Sequence, residues 1–480
     1  MISFILSIVV LIAGYFIYGR IVEKVFGAEP KRPTPAVANP DGVDYVQMPT
    51  WKCFLIQFLN IAGLGPIFGA IMGILYGPSA FLWIVFGTLF GGAVHDYFSG
   101  MISLRSNGAS LPEVVGAQLG APVKQFMRGF SLILMILVGA VFVSGPAELL
   151  CGLTGNTLNI NVWIALIFIY YMLATLLPID KLIGKIYPVF GFALLFMASG
   201  ILVAIFANNA PIPEFTDGFK NYQKGNLPVF PMMFVSIACG AISGFHATQS
   251  PMIARCIKNE RYGRRVFYGS MVAEGVVALI WAAAASSFFG SIEGLQNFIS
   301  TLAPTANKPA VVVDIISRSW LGTFGGILAI IGVVAAPITS GDTALRSARL
   351  IAADFLKINQ RKTVKRLLVS LPIFALSFIL LNIDFDVLWR YFAWCNQTLA
   401  AFTLWAITVY LAKRPPRGAY LLTLIPAVFM TMICTSYILI SPEGLTLSPI
   451  ISYLIAGTLS ALTVVLFCIF LCKFRRSART

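Results

Sequence analysis

The sequence predicts an all-α polytopic membrane protein with about thirteen transmembrane helices. Composition is the first reason: 58% of the 480 residues are hydrophobic and 11% are charged, at a mean hydropathy of +0.86, far from the balance of a soluble domain. The second is recurrence, because apolar runs of about 20 residues follow one another from end to end and leave no segment for a soluble domain. The third is charge placement. The formal charge of +15 sits in short Lys/Arg clusters between the runs, not on one amphipathic face, which speaks for membrane topology and against a nucleic-acid partner.

In order, the runs are 3–19, 53–76, 78–104, 126–150, 161–177, 187–207, 229–253, 267–289, 322–343, 367–381, 385–411, 419–440 and 449–472. Each is apolar enough to cross, the tenth being short. The first lacks a basic leader and a small-residue cleavage site, so it reads as a retained helix. The eight cysteines lie mostly inside the runs without CxxC spacing, and indicate neither a disulfide framework nor a zinc site. No cofactor is expected.

Cytoplasmic loops keep their positive charge during insertion, so alternate connections should differ in Lys and Arg. One set carries 29 of the 34 basic residues, Lys181 and Lys185 among them; the other holds Lys220, Lys224, Lys308 and Arg318, with Arg390 at the start of run eleven. This predicts an outside N-terminus and a cytoplasmic C-terminus in a bacterial inner membrane. One missed or invented helix would invert the pattern for every later loop.

Run two contains Gly63-Leu64-Gly65-Pro66 near its middle, where glycine loosens the backbone and proline removes a donor. Run seven contains Gly240, Ser243, Gly244, His246, Thr248, Gln249, Ser250 and Pro251. Interrupted helices at matching places in two halves point to a transporter site, because unwound backbone and half-helix ends coordinate ions and substrate. Five runs separate the two and their orientations oppose. A LeuT-like inverted five-plus-five repeat is therefore expected, 53–207 then 229–411, preceded by an extra helix and loop at 1–52 and followed by two peripheral helices at 419–472 and a basic tail at 473–480. A proline kink and close packing of small residues are the competing explanation.

Ionisable groups at membrane depth are costly and need partners or a watery cavity. Both histidines lie in runs, His95 beside Asp96 and His246 in the polar break, and histidine titrates near neutral pH. The competing explanation is that His95 and Asp96 form packing hydrogen bonds; adjacent helical residues do not face each other, so both are not assumed to line one cavity. Thr339, Ser340, Asp342 and Thr343 form an oxygen-rich stretch suited to a sodium ion (Thr339, Ser340, Thr343) or a proton. Ordinary capping at a helix end, followed by snorkelling Arg346 and Arg349, explains it equally. Glu148, Glu274, Asn396 and Gln397 read more as interhelical glue than as ligands.

The segments GPIFGAIMGILYGP (65–78), FGGAVHDYFSGMISLRSNGASLPEVVG (90–116) and SGFHATQSPMIARC (243–256) together resemble the carbon starvation protein A family. The resemblance extends from the first run through TSGDTALRSAR at 339–349. It implies the amino acid/polyamine/organocation superfamily, proton-coupled pyruvate uptake, and an older association with peptide uptake in carbon starvation. The chain is shorter than the long bacterial members, chiefly towards its C-terminal end.

The expected function is import of a small carboxylate such as pyruvate by proton symport. Substrate would meet Asn60, Gly63, Gly65, Pro66, Ser243, Gly244, His246, Thr248 and Gln249, with its anionic group on half-helix amides. Coupling would run through His95, Asp96, His246, Glu274, Thr339, Ser340, Asp342 and Thr343. In peptide or amino-acid uptake, Asp96, Glu274 or Asp342 would instead meet a substrate ammonium. A non-transporting starvation sensor is the third reading; no P-loop, HExxH or GxSxG with triad partners speaks for an enzyme. Oligomeric state is left open.

Overall fold

The structure is a computed structural model that describes residues 1–42, 44–154, 157–176, 179–224, 227–303, 306–360 and 362–477. Leu177, the expected end of run five, the side chains of Lys181 and Lys185, and the last three tail residues lie outside the described part.

A helix or helix pair occupies every apolar run. These are α1 (Ile2–Phe26), α2 (Thr50–Ala62), α3 (Gly65–Tyr76), α4 (Ser79–Arg105), α5 (Ala121–Leu153), α6 (Ile160–Leu176), α7 (Ile179–Ala207), α8 (Val229–Ser236) and α9 (Gly244–Ala254). There follow α10 (Glu260–Phe288), α11 (Lys308–Leu356), α12 (Thr363–Leu380), α13 (Phe385–Ala412), α14 (Leu421–Ile440) and α15 (Pro449–Ser477). There is no strand among the described residues. Among the described residues, eight helices qualify as spans by length and apolarity, nine when α2 and α3 count as one bent span.

Burial separates centre from periphery. The most apolar stretch of α4 and of α10 is 83% buried, against 28% for α1 and 17% for α15. The outer helices show Leu, Ile and Val to their surroundings, as helices in hydrocarbon do, while backbone hydrogen bonds close within each helix. The two helices carrying Asp96 and Glu274 are thus among the most enclosed.

Both expected interruptions are present. Between α2 and α3 the axis bends by 52°. Gly63 takes φ +42°, and a Cβ there would stand 2.8 Å from the Phe142 ring, so glycine is required twice over. Between α8 and α9, residues 237–243 leave the helix altogether. The two breaks meet: a Cβ on Gly65 would lie 2.1 Å from the Cys239 Cβ. Small residues therefore let one unwound backbone lie on the other.

The stretch at 339–343 differs from one expectation. It is not a capped helix end, because α11 runs on to Leu356. Nor do the arginines snorkel: Arg346 and Arg349 are 1% and 3% exposed. Arg346 donates to Ala174 O at 2.6 Å and Arg349 to Gln360 Oε1 at 2.8 Å. A neighbouring helix supplies the acceptor for Arg346 and the segment just after α11 supplies it for Arg349, so neither guanidinium has to reach the interface.

Candidate functional site

Asp96 stands on α4 just after a π-helical turn at Gly87–Gly92. Such turns insert a residue into the helical ladder and recur at functional sites. This one brings α4 against the second break, where Thr88 Oγ1 donates to Gly240 O at 3.1 Å.

Each Asp96 oxygen meets a different imidazole. Oδ1 lies 2.8 Å from His95 Nδ1 and Oδ2 lies 2.8 Å from His246 Nδ1. On its far side His246 Nε2 is 3.5 Å from Glu274 Oε2 on α10. All four side chains are fully buried. Although His95 and Asp96 are neighbours on one helix, they meet, because the ring folds onto the neighbouring carboxylate. With both Nδ1 atoms donating to Asp96, His246 turns its other nitrogen on Glu274. A lone pair facing a carboxylate at that distance is repulsive, so the arrangement accommodates one proton between them. Neither that nitrogen nor the Glu274 oxygens has a hydrogen-bond partner.

Asn396 and Gln397 on α13 hold the second break. Asn396 Oδ1 accepts from Ser243 Oγ at 3.0 Å and from Phe245 N at 2.6 Å, while its Nδ2 donates to Cys239 Sγ at 3.3 Å. Gln397 Nε2 donates to Phe234 O at 2.5 Å, where α8 ends. One side chain thus caps the start of α9 and the next caps the end of α8, satisfying backbone groups that an unwound helix leaves in a water-poor core. The reading of this pair as interhelical glue holds.

The remaining expected residues fall around the breaks. Ser340 Oγ donates to Leu59 O at 3.0 Å, tying α11 to the end of α2. Thr339 and Thr343 turn their hydroxyls back on α11, to Ala335 O and Ala336 O and to Thr339 O and Ser340 O. Thr248 Oγ1 donates to Phe245 O and accepts from Gln249 Nε2. Asn60 Oδ1 and Gln249 Oε1 are buried without a partner. Pro66 is buried at the start of α3, and Gly244, at the start of α9, packs against the α13 backbone. Glu148 accepts from Asn307 N at 3.2 Å, away from the relay.

Two groups escape sequence reasoning. Tyr187 donates to Asp342 Oδ2 at 2.5 Å across 155 residues of chain, and Gln57 donates to Ser250 Oγ at 3.4 Å. A tyrosine near the end of an apolar run gives no signal of a carboxylate partner. Glutamine at 57, three residues before Asn60 on one helix face, is a signal available in principle. Among the described residues no group of three or more His, Cys, Asp or Glu is arranged to hold a metal ion.

A cleft of about 260 Å³ opens beside the breaks, lined by Met72 of α3, Ser236 of α8, and Trp389 and Arg390 of α13. Two ion pairs stand in its wall: Lys308 with Asp386 at 3.2 Å, and Arg390 with Glu443.

The family description "Carbon starvation protein CstA" matches residues 1–154, 150–317 and 300–437. The chain belongs to the CstA family. Over 350 residues it is 46% identical to an uncharacterized membrane protein of Haemophilus influenzae, covering 62% of this chain and 94% of that one. It is 30% identical over 344 residues to the peptide transporter CstA of Bacillus subtilis, covering 58% and 57% of the two chains. The pyruvate/proton symporter BtsT of Escherichia coli is 31% identical over 350 residues, covering 58% and 48%. The aligned region thus spans about half the length of these two transporters. A manganese transporter of Eremococcus coleocola, solved with an aromatic bis-isothiourea compound, superimposes with a TM-score of 0.57 at 13% identity, covering 91% of this chain and 99% of that one. That likeness establishes a transporter fold and carries nothing about cargo. CstA membership also separates the chain from enzymes.

Proposed function

We propose that this CstA-family protein imports a small carboxylate, pyruvate foremost, together with a proton. The observation that carries the reading is the fully buried chain His95–Asp96–His246–Glu274, which joins α4 and α10 through the helix that resumes after the second break. Carboxylates and imidazoles in such a place serve proton movement by default, and imidazole exchanges a proton near neutral pH. Half-helix amides at Gly65 and Ser243–Gly244 suit the carboxylate of the substrate, the next amide, Phe245 N, being taken by Asn396. A proton entering with the anion offsets its charge against a negative-inside potential. Proton is preferred to sodium because this buried chain alternates carboxylates with imidazoles, groups that exchange protons.

In this reading residues 53–207 and 229–411 are inverted repeats, the N-terminus is outside the inner membrane, and the 260 Å³ cleft is the outer approach. Peptide uptake is the second reading, supported by the peptide transporter CstA of Bacillus subtilis among the relatives. Uptake of radiolabelled pyruvate into proteoliposomes, challenged with unlabelled dipeptides, separates the two. Pyruvate accumulation that dipeptides leave intact supports the carboxylate; dipeptide accumulation without pyruvate uptake replaces it.

A further inference from the structure

A second cavity lies at the opposite end of the bundle from the outer cleft, where α13 ends and the chain turns into α14. Its volume is about 360 Å³, and its lining among the described residues includes Lys413, Arg414, Arg417 and Arg475 and no carboxylate. Arg414 is anchored by its guanidinium 3.6 Å over the Tyr410 ring, and Lys413 donates to Gln118 Oε1 at 3.1 Å. Arg417 and Arg475 are exposed. Four like charges around one hollow repel each other: burial and the adjacent Arg414 together hold the Lys413 ammonium below the ordinary lysine value. Such a cluster is stabilised by an anionic group, such as a phosphate, seated among the cations.

The floor of the cavity is shared. Phe474 lines it and also lines an open apolar groove of about 470 Å³ that runs back along α15 past Phe470, Ile469 and Leu466. Ile469 and Leu466 are exposed there, on a helix whose apolar stretch is 17% buried. A positive hollow that continues into an apolar groove on the outside of a membrane bundle has the shape and polarity of a phospholipid. We propose that the Lys413–Arg414–Arg417–Arg475 cavity binds the phosphate of an anionic phospholipid, with an acyl chain lying along α15. Basic pockets between helices on the positive side of a membrane protein suit such headgroups.

The test uses the full-length protein in detergent, wild type and Arg417→Gln/Arg475→Gln, titrated with phosphatidylglycerol, phosphatidylcholine or inorganic phosphate. Thermal unfolding and lipid retention in native mass spectrometry are the readouts. Phosphatidylglycerol is expected to raise the midpoint saturably, the double variant needing roughly thirtyfold more of it, while phosphatidylcholine leaves both proteins unchanged and equal. Should inorganic phosphate alone reproduce the variant-sensitive shift, the phosphate site stands and the lipid assignment falls. Identical phosphatidylglycerol titrations for wild type and variant, or no retention by either, overturn the proposal.

Discussion

Asp96 Oδ2 lies 2.8 Å from Nδ1 of His246, an approach that ties the enclosed helix α4 to the first turn of α9. His246 owes its position to the break before it, because Ser243 and Phe245 are held by Asn396. Movement of the break is thereby coupled to the partner of a buried carboxylate. In the proton symport proposed above, this contact would connect the unwound segment to the group that carries the proton.

Replacing Asp96 with Asn keeps the size of the side chain and removes its charge, so one of the two Nδ1–H donors loses its acceptor. Breaking a buried pair in this way costs about 3 kcal/mol. We expect a clear fall in the thermal midpoint of the purified protein and gradient-driven uptake at least about tenfold lower. Wild-type accumulation in Asp96→Asn would remove the relay from the mechanism.

Gly65→Ala places a methyl group 2.1 Å from the Cys239 Cβ. Overpacking of this kind costs about 1–3 kcal/mol, and here it forces the two breaks apart. Cys239→Gly in the same chain should restore much of the loss. A double variant no more stable than Gly65→Ala would mean that the two breaks do not touch through these atoms.

Asn396→Ala strips the acceptor from Phe245 N and Ser243 Oγ, leaving buried donors unpaired at about 1–2 kcal/mol. Asn396→Asp retains an acceptor oxygen. The expected order of both stability and uptake is wild type, then Asp, then Ala, read from unfolding curves and initial rates. An Ala variant indistinguishable from wild type would show that the break closes without this cap.

Tyr187→Phe deletes the hydroxyl that reaches Asp342 Oδ2. A hydrogen bond to a charged group is worth about 1.5–3 kcal/mol, so the midpoint should fall. The same substitution in an Asp342→Asn background should cost less, because the acceptor is already neutral. Equal costs in the two backgrounds would contradict a direct interaction.

Much of this architecture is legible in the sequence. Hydropathy locates the long apolar helices because hydrocarbon imposes length and apolarity on each span, while the short helices Leu111–Leu119 and Ile292–Thr301 escape it, and Gly63-Leu64-Gly65-Pro66 marks the first break because proline and glycine weaken the ladder locally. His246 is recognisable as a polar residue inside a weak helix. That both histidines share Asp96 is not legible, since His95 reaches it by a side-chain torsion and His246 from 150 residues away. Tyr187 and Asp342 are hidden for the same reason. The extent of α11 is masked because Asp342, Arg346 and Arg349 resemble a charged helix end; their partners Tyr187, Ala174 O and Gln360 appear only once the helices pack.

The most direct test of the central claim is proton movement itself. Proteoliposomes carrying a luminal pH-sensitive dye, with protein-free vesicles as reference, would be given an inward pyruvate gradient and no pH gradient. The wild-type protein should acidify the lumen as pyruvate enters. Glu274→Gln, whose amide cannot take up or release the proton beside His246, should exchange pyruvate across the membrane without acidification. Luminal acidification of equal size in wild type and Glu274→Gln, or pyruvate entry through the wild type with no pH change, would contradict proton coupling through this site.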